Sequence, residues 1–218
     1  MHHARQSRVA SVCALLFTLM MFLQTAMLNV PFRASDEKLL KWWDSSANQM
    51  TSILSMYALC AAAILFLVPL NHVVYRLRER EEGATPWANF SHGCGVAFAA
   101  VCVVDAGMRG AVGRMVRIDT EPLPDVDTLR FATGLGHAVF GVGGMLLAGA
   151  TILGISIAAL RTHALPKWFG VLGLAMVVGI AVAEAIVFGM LAIPAILIWT
   201  LALAFVLWRS PMSPSTVR

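Results

Sequence analysis

Of the twelve carboxylates in this chain, only Asp105 and Glu184 stand inside long apolar stretches. An ionised carboxylate at membrane depth costs at least about 2.5 kcal/mol even on insertion-based scales, so each needs a partner or a task. Asp105 has Arg109 four residues on, and on a helix that spacing makes a neutralising ion pair. Glu184 has no basic residue within a turn of its own helix, and its face otherwise carries Val177, Ala181, Val187 and Phe188. Its partner must come from another segment. His137 is the intramembrane candidate, and a Glu–His pair there could hold or pass a proton. Gln24 and Tyr57 add one polar side chain each from two further apolar stretches.

Each of these residues also has a structural explanation. Gly134, His137, Gly141, Gly144 and Ala148 follow helical spacing, which suits either a groove that admits a ligand beside His137 or close packing of helices through small residues. Arg109, Arg114, Arg117 and Arg130 could bind a lipid phosphate or another anion, or be neutralised by Asp119, Glu121, Asp125 and Asp127. One imidazole and two carboxylates can ligate a metal, but Asp105, His137 and Glu184 have no ExxH or HxxxH spacing. His72 and His92 fall too near the ends of their segments for a membrane haem. The four cysteines lie in or beside apolar stretches with no CxxC spacing, as reduced packing residues would. No metal or cofactor is expected.

The elements that position these residues follow from composition. The chain has 218 residues, 59% of them hydrophobic and 13% charged, with a mean hydropathy of +0.77; soluble proteins are about 25% charged. A net charge of +4 is spread over termini and loops, which argues against nucleic-acid binding. The fold class is therefore all-α: one polytopic membrane domain over residues 1–218 with six transmembrane helices, near residues 9–30, 50–70, 91–108, 131–160, 168–189 and 193–208. Residues 1–8 and the run after them have the form of a signal peptide or a signal anchor, and the length of the run favours the anchor. At about 1.5 Å per residue the fourth span would reach some 45 Å, so it must tilt or project from the bilayer. Residues 35–44, with Leu39, Trp42 and Trp43 at i, i+3 and i+4 among charges, read as a short interfacial helix anchored by its tryptophans.

Six spans put both termini on one side. With the N-terminus inside, nine Lys and Arg fall inside and seven outside, so both termini are expected in the cytoplasm. Thirteen Arg against three Lys, with abundant Ala, Val and Gly, suggest a GC-rich genome and hence a bacterial plasma membrane. In this topology Gln24, Tyr57, Asp105, His137 and Glu184 come to one layer a turn or two below the outer surface, as residues lining a common pocket would.

The stretch WWDSSANQ at residues 42–49, the basic RLRER at residues 76–80 and ALPKWFG at residues 164–170 carry a resemblance over most of the chain. In these the sequence resembles a large family of uncharacterised six-span membrane proteins of high-GC bacteria, a domain of unknown function. The resemblance implies the six-span architecture and brings no catalytic residues. The leading functional expectation is an outward-facing intramembrane pocket that binds a lipid-like or lipophilic small molecule, with membrane lipids as partners. Two others compete: a non-catalytic subunit of a larger membrane complex, with a membrane-protein partner or a second copy, and an intramembrane enzyme using Glu184 and His137.

Overall fold

The computed structural model describes residues 2–27, 30–31, 33–80, 86–186 and 192–209, and within them every regular element is a helix. In chain order these are α1 (His2–Met27), α2 (Asp36–Asp44), α3 (Ser46–Arg80), α4 (Pro86–Arg117), α5 (Val126–Ala138), a π-helical turn (Val139–Gly144), α6 (Met145–Thr162), α7 (Lys167–Ala185) and α8 (Ile193–Arg209). Five helical stretches are long and apolar enough to cross a membrane: Arg5–Met27, Ser46–Glu79, Pro86–Arg117, Val126–Thr162 and Lys167–Ala185. The sixth apolar helix, α8, is shorter at 17 residues. The outer faces are apolar too, with Ile64, Phe131 and Val178 exposed. This is the surface of a membrane-embedded chain and not of a soluble one.

Three helices run well past the lengths read from hydropathy, among them α4, 32 residues long where the span is read as 91–108. The charged residues after Leu70 do not end α3, which continues to Arg80 because Arg and Glu are good helix formers and can extend beyond an apolar core. The fourth span is part of a continuous helical run of 37 residues, Val126–Thr162. It changes character at the π-helical turn, where the extra residue per turn rotates α6 relative to α5. It stops where His163 takes a left-handed conformation, φ 54°, and its amide bonds back to the Ala159 carbonyl. Pro166 then precedes α7.

Each long helix packs antiparallel on the next, and the last closes on the first. Seating α8 against α1 are three buried hydroxyls: Ser7 Oγ donates to the Leu207 carbonyl (2.6 Å), Ser11 Oγ to the Ala204 carbonyl (2.7 Å), and Thr18 meets Thr200 at 2.8 Å. With no water to replace them, such contacts are retained by the cost of an unpaired hydroxyl. The start of α1 and the end of α8 therefore share one end of the bundle. Across α4 and α6, a Cβ on Gly154 would lie 2.8 Å from Ser91 Cβ and 2.9 Å from the Trp87 carbonyl, so only glycine permits that approach. A row of rings crosses the core, with centroids of Phe17 and Phe66 5.1 Å apart, Phe66 and Phe98 5.3 Å, and Phe98 and Phe140 6.4 Å. It joins α1, α3, α4 and the π-helical turn.

The short helix α2 forms where its amphipathic pattern predicts, but its tryptophans do not both face outward. Leu39 and Trp43 are buried against Val112 of α4 and Leu129 of α5. Trp43 is a packing residue, since its i, i+4 partner Leu39 shares its face and the protein supplies a surface to cover both.

Candidate functional site

Asp105 and Arg109 meet as their spacing predicts: Arg109 Nε donates to Asp105 Oδ2 at 2.5 Å. Asp105 is fully buried and the Arg109 side chain is 9% exposed, so this is an interior pair. Three further elements converge on it. From α1, Gln24 Oε1 accepts from Arg109 Nη1 at 3.2 Å, while Gln24 Nε2 donates to the Thr25 hydroxyl at 2.9 Å. From α3, Ser52 Oγ donates to the Arg109 carbonyl at 2.5 Å. From the π-helical turn, the Phe140 ring lies 5.3 Å from the guanidinium carbon, in the range of a cation–π contact.

The fourth element, α5, approaches the carboxylate itself. Asp105 Oδ1 is buried and has no hydrogen-bond partner among the described residues. The side of α5 that covers it is Gly136, where a Cβ would lie 2.9 Å from Oδ1. His137 follows, half-buried and within electrostatic reach of Asp105. Its Nδ1 donates to the Thr133 carbonyl at 2.8 Å. A carbonyl can only accept, so Nδ1 carries a proton. Space remains beside the histidine, because a Cβ placed on Gly134 or Gly141 would meet nothing within 4 Å. Gly144 and Ala148, by contrast, are packed against neighbours. The small-residue stripe thus divides into a packing half and an open half at the π-helical turn.

The other expected members stand elsewhere. Tyr57 is 62% exposed on the outer face of α3 and does not join the cluster, since α3 turns Ser52 and Ser55 inward instead. Glu184 is half-buried in the last turn of α7, with Oε1 buried and lacking a hydrogen-bond partner. Among the described residues no group of three or more His, Cys, Asp or Glu is placed to hold a metal. Arg114 reaches Asp119 at 3.8 Å, and Arg130 donates to Asp36 Oδ1 and to the Ala34 carbonyl, each at 2.7 Å. Of the four arginines expected to attract an anion, Arg109, Arg114 and Arg130 are thus engaged by carboxylates, Arg130 by one on α2 and not by the loop acids.

Four contributors escape a reading of the sequence alone: Thr25, Ser52, Gly136 and Phe140. Gly136 is adjacent to His137 but off the spacing of the glycine stripe, and Phe140 lies one turn beyond the histidine without a polar atom to draw notice. Comparison with known proteins finds no matching family model, no similar curated protein and no similar solved structure.

Chemically, the cluster is a nearly neutral pair of charges with one carboxylate oxygen and one imidazole nitrogen on the side of α5. It can accept hydrogen bonds from a donor group or share a proton. Its guanidinium is held by Gln24, Asp105 and Phe140 and serves chiefly to keep the carboxylate in place.

Proposed function

We propose that this chain is a six-span protein of a bacterial plasma membrane, with both termini cytoplasmic and α2 at the outer interface, and that its buried polar cluster binds a lipophilic small molecule carrying a hydrogen-bond donor or a cationic group. The observation that carries this reading is Asp105 Oδ1: fully buried, without a hydrogen-bond partner among the described residues, and covered by Gly136, the residue before His137. A buried carboxylate oxygen left unpaired costs about 1–3 kcal/mol or more, so a ligand donor that satisfies it gains that much. The open sides of Gly134 and Gly141 supply space on the same helix, and π-helical turns recur at functional sites. An enzyme built on Glu184 and His137 has less support, because the buried Glu184 Oε1 has no hydrogen-bond partner among the described residues.

Native mass spectrometry of the protein, purified with its membrane lipids, tests the reading. A non-phospholipid adduct or a selectively retained lipid is expected, lost on His137→Ala while the helical spectrum and melting temperature hold, and lost on Asp105→Asn, which also lowers the melting temperature by leaving Arg109 without its counter-charge. Asn keeps the shape and one acceptor but removes the charge. If the wild type carries only bulk lipid and a tightly held protein subunit, the chain is a scaffold and the ligand reading fails.

A further inference from the structure

At the opposite end of the bundle from Asp105, a groove of about 750 Å³ opens between the first turns of α1 and the last turns of α3. Its floor is apolar, formed by Val9, Ala10, Val68 and Val74, and two guanidiniums, Arg5 and Arg78, line it. The volume lies within the range of small-molecule sites. Among the described residues no carboxylate pairs with either arginine. Arg78 donates to Asn89 Oδ1 at 2.6 Å, a neutral acceptor. Arg8 and Arg209, at the same end, stand over the rings of Trp208 and Phe205 at 5.8 and 4.4 Å. Glu79 is the one described carboxylate at this end.

Two charges at the ends of membrane helices above an apolar cleft match one kind of molecule in both parts. We infer that this groove holds an anionic phospholipid of the surrounding leaflet, its phosphate between Arg5 and Arg78 and an acyl chain along Val9, Ala10, Val68 and Val74. Guanidinium forks suit phosphate oxygens in a way a bare ammonium does not. Tyr75, half-exposed at the rim, has the amphipathic ring favoured at headgroup depth. The site is independent of the Asp105 cluster: it requires a membrane chain but neither the ligand nor the chemistry proposed above.

The experiment offers the full chain equimolar phosphatidylglycerol and phosphatidylcholine with matched acyl chains and reads retained lipid by native mass spectrometry. The wild type should retain phosphatidylglycerol preferentially. Each basic residue near an anionic headgroup contributes about fivefold, so Arg5→Gln with Arg78→Gln should lower the preference at least about tenfold. Arg161→Gln with Arg209→Gln removes the same charge from the same end outside the groove and should leave most of the preference intact. Val68→Trp, which fills the groove and keeps both arginines, should reduce retention of either lipid, and it decides the matter if the double arginine variant does not fold. No preference in the wild type, equal losses in the two double variants, or unchanged retention in Val68→Trp overturns the site.

Discussion

Asp105 shows how burial changes what a residue costs and what it can do. With the carboxylate fully buried and the guanidinium nearly so, breaking the pair leaves an uncompensated interior charge. Arg109→Ala should therefore destabilise the protein by about 3–5 kcal/mol, whereas replacing both partners by Leu and Met of similar volume should cost much less. Gly136 supplies a second check. Its Cβ would lie 2.9 Å from Asp105 Oδ1, so Gly136→Ala must displace either α5 or the carboxylate. In an Asp105→Ala background that conflict disappears, and a double-mutant cycle read by thermal unfolding in detergent should show coupling of about 0.5–3 kcal/mol. Additivity within a few tenths of a kcal/mol would mean that α5 does not press on the carboxylate. Of this cluster, the sequence makes Asp105 and Arg109 legible because helical spacing alone brings them together. The contributions of Gln24, Ser52 and Phe140 depend on which helices are neighbours, which no periodicity states. Glu184 marks the limit of the method: the absence of a local counter-charge correctly signals a problem, but spacing cannot name its partner.

At the scale of elements, the 37-residue run Val126–Thr162 combines a start, a change of pitch and a stop, and each has its own chemistry. The start is Asp125, whose carboxylate accepts from the Thr128 amide at 2.9 Å and the Thr128 hydroxyl at 3.0 Å. Those bonds to the charged form hold the Asp125 carboxyl below the usual carboxylate range. The sign follows: a lowered folded pKa gives a contribution that is complete above the ordinary Asp value of about 3.9 and fades as pH falls through the lower folded value. Amide exchange at Thr128 should quicken as the solution is acidified through that window. Asp125→Asn should keep the cap without the acid dependence, and Asp125→Ala should lose protection at every pH. Residue types predict a cap here but not its position: Asp127 or Thr128 reads as a plausible N-cap for the fourth span, and the structure caps the helix two or three residues earlier, at Asp125. The π-helical turn was not readable, because VFGVGG looks like ordinary small-residue packing and its pitch is set by Phe140 joining the ring row under Arg109. The anchoring role of Trp43 failed for a similar reason: an amphipathic helix shows that it has an apolar face, but not whether lipid or protein covers it.

For the whole molecule, hydropathy locates the apolar runs, and the structure adds that consecutive helices form a ring closed by Ser7, Ser11 and Thr18 against α8. Closure places the start of α1 and the end of α8 together, so a single measurement of sidedness orients the bundle. Among the described residues the end with the start of α1 and the end of α8 holds Arg5, Arg8, Arg76, Arg78, Arg80, Arg161, Lys167 and Arg209, while Arg33, Lys38, Lys41, Arg109, Arg114, Arg117 and Arg130 lie toward the other. Eight against seven leaves the positive-inside rule little leverage from the count alone. Position decides more: Arg109 is neutralised inside the bundle, and Arg114 and Arg130 are held by Asp119 and Asp36, so fewer cations are available on that side to resist translocation. The termini should therefore face the cytoplasm. With the four cysteines replaced by alanine, a single cysteine at Asp125 should react with a membrane-impermeant maleimide in intact cells, and one at Lys167 should react only after permeabilisation. The opposite pattern would invert the molecule, turning the Asp105 cluster toward the cytoplasm and the Arg5–Arg78 groove toward the outer leaflet. The lipid selectivity of the groove and the coupling of Gly136 to Asp105 would survive that inversion, since both depend on packing within the bundle and not on which side it faces.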